Sequence, residues 1–179
     1  MKSFLLAVWE VAEVVLVAVV TVFFIRTFLI QPFLVSGASM EPTFSSGDYL
    51  LIDEITYRFR EPERGEPVVF RYPQNPSTFY IKRIIGLPGE RVVVKDGRVL
   101  IYNQQFPEGA KIEQDYLTPG VRTTGNVDVT LSENNFFVLG DNRNYSFDSR
   151  SWGTLPRKNI TGLVRLRLLP ISQVQAFSY

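Results

Sequence analysis

Three short stretches hold most of the residues able to do chemistry. They are SGASMEPTF (36–44), FYIKRIIG (79–86) and GDNRNYSFDSRSWG (140–153). The first offers a serine, the second a lysine between apolar residues, the third a dense run of Asp, Asn, Arg, Ser and Trp. What the chain lacks narrows the choice: it contains no histidine and no cysteine. Without histidine there is no Ser-His-Asp triad, and the commonest ligand of catalytic metals is missing. Without cysteine there are no disulfides, no thiolate nucleophile and no cysteine-bound zinc. A nucleophilic serine would therefore need a lysine, a carboxylate or the α-amine as its base. On its own, SGASMEPTF reads first as a turn, because Ser, Gly and Pro cluster in loops for backbone reasons.

The lysine stretch has the pattern of a strand, in which side chains alternate faces. Lys82 then shares a face with Tyr80 and Ile84, and Arg83 points the other way beside Ile81 and Ile85. An amine among apolar neighbours loses water, and desolvation lowers a lysine pKa. A neutral Lys82 near Ser39 could accept its proton. A strand-edge lysine reaching solvent is the simpler reading of this segment alone. In the third stretch Asp148 and Arg150 can pair or reach across a site, although a polar loop with Asx turns would look similar.

These residues need elements to position them. The most biased segment is the N-terminal VVLVAVVTVFFI (14–25), uncharged with only Thr21 polar. Extended to residues 7–30 it is long enough to span a bilayer, with Glu10, Glu13 and Arg26 towards its ends, and no small-x-small cleavage pattern follows. A retained anchor at 7–30 is expected, after a short tail at 1–6. Downstream the helical period disappears. DYLLIDEITY (48–57), PVVFRY (67–72), FYIKRIIG, NFFVLG (135–140) and ITGLVRLRLLP (160–170) have strand character, the last alternating Leu163, Arg165 and Arg167 with Val164, Leu166 and Leu168. Pro88-Gly89 suits a type II turn, and RVVVKDGRVLIYN (91–103) a hairpin turning at Asp96-Gly97. The expected fold is mainly β, an antiparallel catalytic core at 31–90 and 134–170 with partly closed, barrel-like sheets. A small inserted hairpin and loop region occupies 91–133, and a tail 171–179. A formal net charge of +1 argues against a nucleic-acid partner.

Taken together, the stretches resemble the type I (bacterial) signal peptidases, membrane-anchored endopeptidases with a Ser-Lys dyad. The matching blocks stand in the family's order from about Phe28 to Pro156. They are Ser39-Met40-x-Pro42-Thr43 with Gly47-Asp48-Tyr49-Leu50; Arg64-Gly65 through Val68-Val69-Phe70; Tyr80-Ile81-Lys82-Arg83 with Gly86-Leu87-Pro88-Gly89; and Gly140-Asp141-Asn142-Arg143, Ser146, Asp148-Ser149-Arg150 and Trp152-Gly153. The resemblance implies Ser39 as nucleophile, Lys82 as general base, and the Ser39 N–H as an oxyanion donor. It also implies Ser146 hydrogen-bonded to the lysine, Asp148 and Arg150 bracing the site, and Met40 packed beneath the nucleophile. No metal or other cofactor is implied. The implied partners are preprotein signal peptides, the lipid bilayer and the secretion machinery; the implied location is the cell membrane, single-pass, with the catalytic domain outside.

The chain departs from the family at two places. Some members carry a serine donor two residues before the nucleophile, where this chain has Gly37. A serine there would restore the donor only if the local φ admits a β-carbon. Glu66-Pro67 replaces a frequent Asp and apolar pair, so that strand should begin at Pro67 or lie at an edge. Two other functions fit parts of the pattern: a self-cleaving Ser-Lys repressor, whose DNA-binding domain has no room beside the apolar run, and a membrane-tethered β domain that binds peptides without cutting them.

Overall fold

The computed structural model describes residues 2–28, 30–112 and 115–179, the side chains of 2–7 and 23–30 excepted. Helix α1 (Lys2–Phe28) carries the apolar run. Both ends of the expected 7–30 anchor fall outside the described side chains. Among the described residues no helix is long and apolar enough to cross a membrane.

After α1, strand β1 (Ile30–Leu34) pairs antiparallel with β2 (Tyr49–Asp53), so residues 35–48 form the loop between them. The strand expected at 48–57 stops at Asp53. Its Oδ1 accepts the N–H groups of Ile55 and Thr56, both at 2.9 Å, and curls the chain into the short helix α2 (Thr56–Phe59). Strand β3 (Pro67–Tyr72) begins at its proline, which has no N–H to give the ladder. It lies inside the sheet, between β4 (Asn75–Gly86) and a later strand.

The chain then turns at Leu87–Glu90, closed by Glu90 N–H to Leu87 O at 3.2 Å with Gly89 at φ +79°. Strands β5 (Arg91–Lys95) and β6 (Arg98–Tyr102) form a hairpin whose turn residues Asp96 and Gly97 both have positive φ, 54° and 78°. That is the type I′ geometry demanded by the twist of the flanking strands. β7 (Ala110–Lys111) and β8 (Val127–Thr130) flank this hairpin in a four-stranded sheet ordered β7-β6-β5-β8. The chain returns through β9 (Asn135–Leu139), the short helix α3 (Ser149–Trp152), β10 (Leu155–Pro156), β11 (Ile160–Leu169) and β12 (Gln175–Ala176).

The larger sheet is antiparallel with the order β1-β2-β11-β3-β4-β9-β10, and β12 lies beside β11. It does not close into the barrel-like form expected from sequence. β10 offers only two residues, and β9 runs out into the 140–148 loop before the sheet can curve back to β1. The expected alternation along β11 is also interrupted. A register shift lies between Val164 and Leu166, and just before it Leu163 and Val164 are both fully buried, one in each face's core. Arg165 and Arg167 pair with Asp53 and Asp48.

Val68, Phe70, Ile84, Phe136, Val138 and Leu163 form the core on one face. The other face is covered in two places. Met40 and Phe44 from the 35–48 loop cover Leu50, Ile52, Val69 and Val164, and the smaller sheet covers Ile85, Phe137 and Leu139. Gly86 marks where the chain passes from one sheet to the other, and a β-carbon there would lie 2.5 Å from Val92 Cγ2 and 2.8 Å from Leu131 Cδ1. Gly86→Ala is expected to destabilise the domain by about 2 kcal/mol through overpacking, read as a lower urea midpoint at unchanged slope.

Candidate active site

Strand β9 ends opposite Arg83, so among the described residues Phe79–Lys82 of β4 have no neighbouring strand on that side. The gap is a groove of about 360 Å³, walled by Phe33–Ser39 on one side and Phe79–Lys82 on the other, with Tyr145 and Phe147 at its rim. Ser39 and Lys82 meet in it.

The loop that carries Ser39 is held from below and from both sides. Val35 and Asp48 continue the β1–β2 pairing with a 2.9 Å bond, and Phe44 N–H closes a helical turn on Met40 O, also at 2.9 Å. Met40 and Phe44 are buried plugs beneath this loop, 1% and 0% exposed. Thr43 Oγ1 donates to Asp141 Oδ2 at 2.6 Å, and Arg167 Nη1 donates to Thr43 O at 3.1 Å and Asp48 Oδ2 at 3.0 Å.

Lys82 is 4% exposed, and its Nζ lies 2.7 Å from Ser39 Oγ, 2.8 Å from Ile81 O and 5.5 Å from the centre of the Tyr80 ring. Burial pulls its pKa down to about 8, although the carboxylates of Asp148 and Asp141 act in the opposite direction. Both carboxylates are occupied by guanidinium groups. Arg150 Nε and Nη2 grip Asp148 at 2.8 Å each, and Arg83 Nε and Nη2 grip Asp141 at 2.9 and 2.6 Å. Such forks spend the negative charge locally, and desolvation then dominates at the amine.

Asp148 also caps α3 and accepts the Gly140 N–H at 3.1 Å. The Ser39 carbonyl accepts the Asn142 N–H at 3.1 Å, and a β-carbon on Gly140 would collide with that carbonyl and with Ser146 Oγ. Glycine is required here because two chain segments touch, not for its φ.

The expected hydrogen bond from Ser146 to Lys82 is not formed. Ser146 Oγ is buried against Gly140 and has no partner among the described residues; Ser39 Oγ and Ile81 O hold the amine. Gly37 has φ +96°, and its N–H donates to Ser46 Oγ at 3.3 Å. Space for a side chain exists at Gly37, but the backbone is one that serine resists, so a serine donor is withdrawn at this position. Among the described residues no hydrogen bond uses the Ser39 N–H.

Sequence reasoning left Thr43, Asp141 and Arg143 without roles, and passed over Tyr116 and Thr123. The signal for Asp141 and Arg143 was opposite charges two residues apart straight after an apolar strand, and nothing marked Thr43. Tyr116 and Thr123 lie in an irregular segment with no periodicity to mark them. No group of His, Cys, Asp and Glu suited to a metal ion occurs among the described residues.

Comparison with known proteins gives the family. A profile of the family described as "Signal peptidase, peptidase S26" matches residues 8–169. The "Probable signal peptidase I-2" of Synechocystis sp. is 38% identical over 92% of this chain and 75% of its own length. "Signal peptidase I" of Bacillus licheniformis is 32% identical over 94% of this chain and 92% of its own. A crystal structure of a signal peptidase I from Enterococcus faecalis V583 is 29% identical, covers 58% of this chain and 97% of that one, and superposes with a TM-score of 0.48. The chain thus belongs to the signal peptidase family, peptidase S26, as a signal peptidase I: a serine peptidase that removes signal peptides.

Proposed function

We propose that Ser39 is the nucleophile and Lys82 the general base, in a chain anchored to the cell membrane by α1 with its β-rich domain on the outer face. The observation that carries the dyad is the 2.7 Å contact between a buried lysine amine and a serine hydroxyl in a chain without histidine. Neutral Nζ takes the Ser39 proton as Oγ attacks the scissile carbonyl. The Ser39 N–H donates to the oxyanion. The ammonium returns the proton to the departing amine, and Lys82 then deprotonates the water that cleaves the acyl-enzyme. Asp148 and Arg150 support this cycle by fixing Gly140 and the charge beside the amine, and Ser146 packs the same corner.

The anchor rests on sequence and surface. Val8, Trp9, Val11, Val14, Val15, Leu16, Val17, Val19, Val20 and Val22 are all exposed. Consecutive positions expose apolar groups on every side of the helix, a pattern that lipid satisfies. Signal peptides leave the membrane close to where β1 begins, within reach of the secretion machinery. After an alkaline wash the full chain should stay with the membrane pellet, and deletion of residues 1–29 should release it. A full chain found in the supernatant overturns the anchor.

Ser39→Ala and Lys82→Ala should each lower preprotein cleavage about a thousandfold or more without unfolding the protein. Lys82→Arg should be equally inactive, because a guanidinium stays protonated. Full activity in purified Lys82→Ala removes the dyad. The ascending limb of kcat/KM should have its midpoint near pH 8, and a limb near pH 10.5 with chemistry rate-limiting would contradict a buried base.

Stability should carry the same signature. The folded pKa lies below the unfolded 10.5, so the unfolded chain binds the extra proton between about pH 8 and 10.5. Folding stability attributable to this group therefore rises with pH through that window, and the full penalty, about 3 kcal/mol, applies below it. Lys82→Met should be more stable than the parent at pH 7 by up to that amount, with the gap closing as pH approaches 10.5. Equal unfolding midpoints at both pH values would show that the amine is not desolvated.

A further inference from the structure

Arg143 is the largest fully buried side chain of the described residues, 1% exposed. Its Nε donates to Gly140 O at 3.0 Å, Nη1 to Thr123 Oγ1 at 2.5 Å and Nη2 to the Tyr116 hydroxyl at 3.2 Å. Among the described residues it makes no ion pair. Two of its three acceptors therefore come from the segment between β7 and β8. Burial pushes the Tyr116 phenol up, so it remains a neutral acceptor.

The same segment reaches two more arginines. The Arg83 guanidinium lies 3.9 Å from the centre of the Tyr116 ring, and Arg150 Nη1 donates to Thr124 O at 3.0 Å. Thr123 is itself tied to the smaller sheet, its N–H bonded to Gly97 O in the β5–β6 turn at 3.1 Å. Arg83, Arg143 and Arg150 are thus all contacted by residues 116–124.

We infer that residues 116–124, the segment between β7 and β8 of the smaller sheet, clamp the nucleophile's surroundings, with Thr123 and Tyr116 as positioning residues acting through Arg143. Both sides of the Gly140 residue are held: its N–H by Asp148 and its C=O by Arg143. Gly140 in turn touches the Ser39 carbonyl. If the clamp loosens, a buried guanidinium loses acceptors and seeks others, and Gly140 moves with it. Small displacements of a reacting group cost catalysis far more than binding. The smaller sheet thereby serves the reaction without touching substrate.

The inference rests on Ser39 and Lys82 as the dyad, and Ser39→Ala, assayed in parallel on a detergent-solubilised preprotein, tests that reading separately. Thr123→Val keeps the side-chain shape and removes the acceptor; Thr123→Ser keeps the acceptor and removes the methyl. Thr123→Val should lower kcat about tenfold or more with KM within about twofold, and Thr123→Ser should restore kcat to within about threefold of the parent. A residue with a purely structural role would show Val and Ser variants ranked by thermal midpoint, with kcat of the folded protein unchanged. Parent-like kcat in Thr123→Val, or an equal defect in Thr123→Ser, overturns the clamp. If Thr123→Val fails to fold, Tyr116→Phe decides, since it keeps the ring over Arg83. A kcat lowered at least about threefold supports the clamp, and an unchanged kcat refutes it.

Discussion

The Ser39 carbonyl rests against the Cα of Gly140, and the rest of the site is arranged around that contact. Ser39 belongs to the loop after the first strand; Gly140 follows the ninth, about a hundred residues later. No side chain fits between them. Bringing the two segments this close sets the height of Ser39 over β4, and hence its distance from Lys82. The peptide groups of 140–142 supply the fastening, with Asn142 N–H on the Ser39 carbonyl and Asp148 on the Gly140 N–H. Met40 and Phe44 supply the floor.

Around this contact the molecule buries an unusual amount of charge. Arg83, Asp141, Arg143 and Asp148 are all at most 3% exposed. Buried ions do not stabilise a protein as a hydrophobic core does, because desolvation offsets most of their attraction. What they provide is direction: forked guanidinium–carboxylate pairs tolerate few geometries. The two pairs sit beside the amine, and each holds one of the carboxylates that act to raise its pKa. The amine keeps a depressed pKa because its burial outweighs the two carboxylates that act to raise it.

Local chemistry was legible in the sequence where a single residue dictates the backbone. Asp96-Gly97 specified its hairpin turn, Pro67 the start of β3, and alternation in FYIKRIIG the opposite facing of Lys82 and Arg83. Features that depend on pairs of distant residues were not. The bend at Asp53 needs its carboxylate to capture two N–H groups against strand propensity, and the β11 irregularity needs both faces of the sheet to be covered. Nothing in one sequence reports the closure of a sheet, and this one stays open. At the site, the absence of histidine directed attention to a lysine, but neither the idle Ser146 hydroxyl nor the positive φ of Gly37 leaves a trace in composition. Tyr116 and Thr123 escaped because their segment is irregular, and irregular segments carry no period.

The open side of the groove has one more consequence. In the resting protein the Lys82 amine is screened from solvent by protein on all sides but the one that Ser39 shares with the groove. A peptide laid between Phe33–Ser39 and Phe79–Lys82 would complete that enclosure and exclude solvent from the hydroxyl. Its arrival would cost the ammonium form its last solvation, so binding itself would expel a proton from the site. In the proposed mechanism the substrate is thus the missing wall of the chamber in which its own bond is cut.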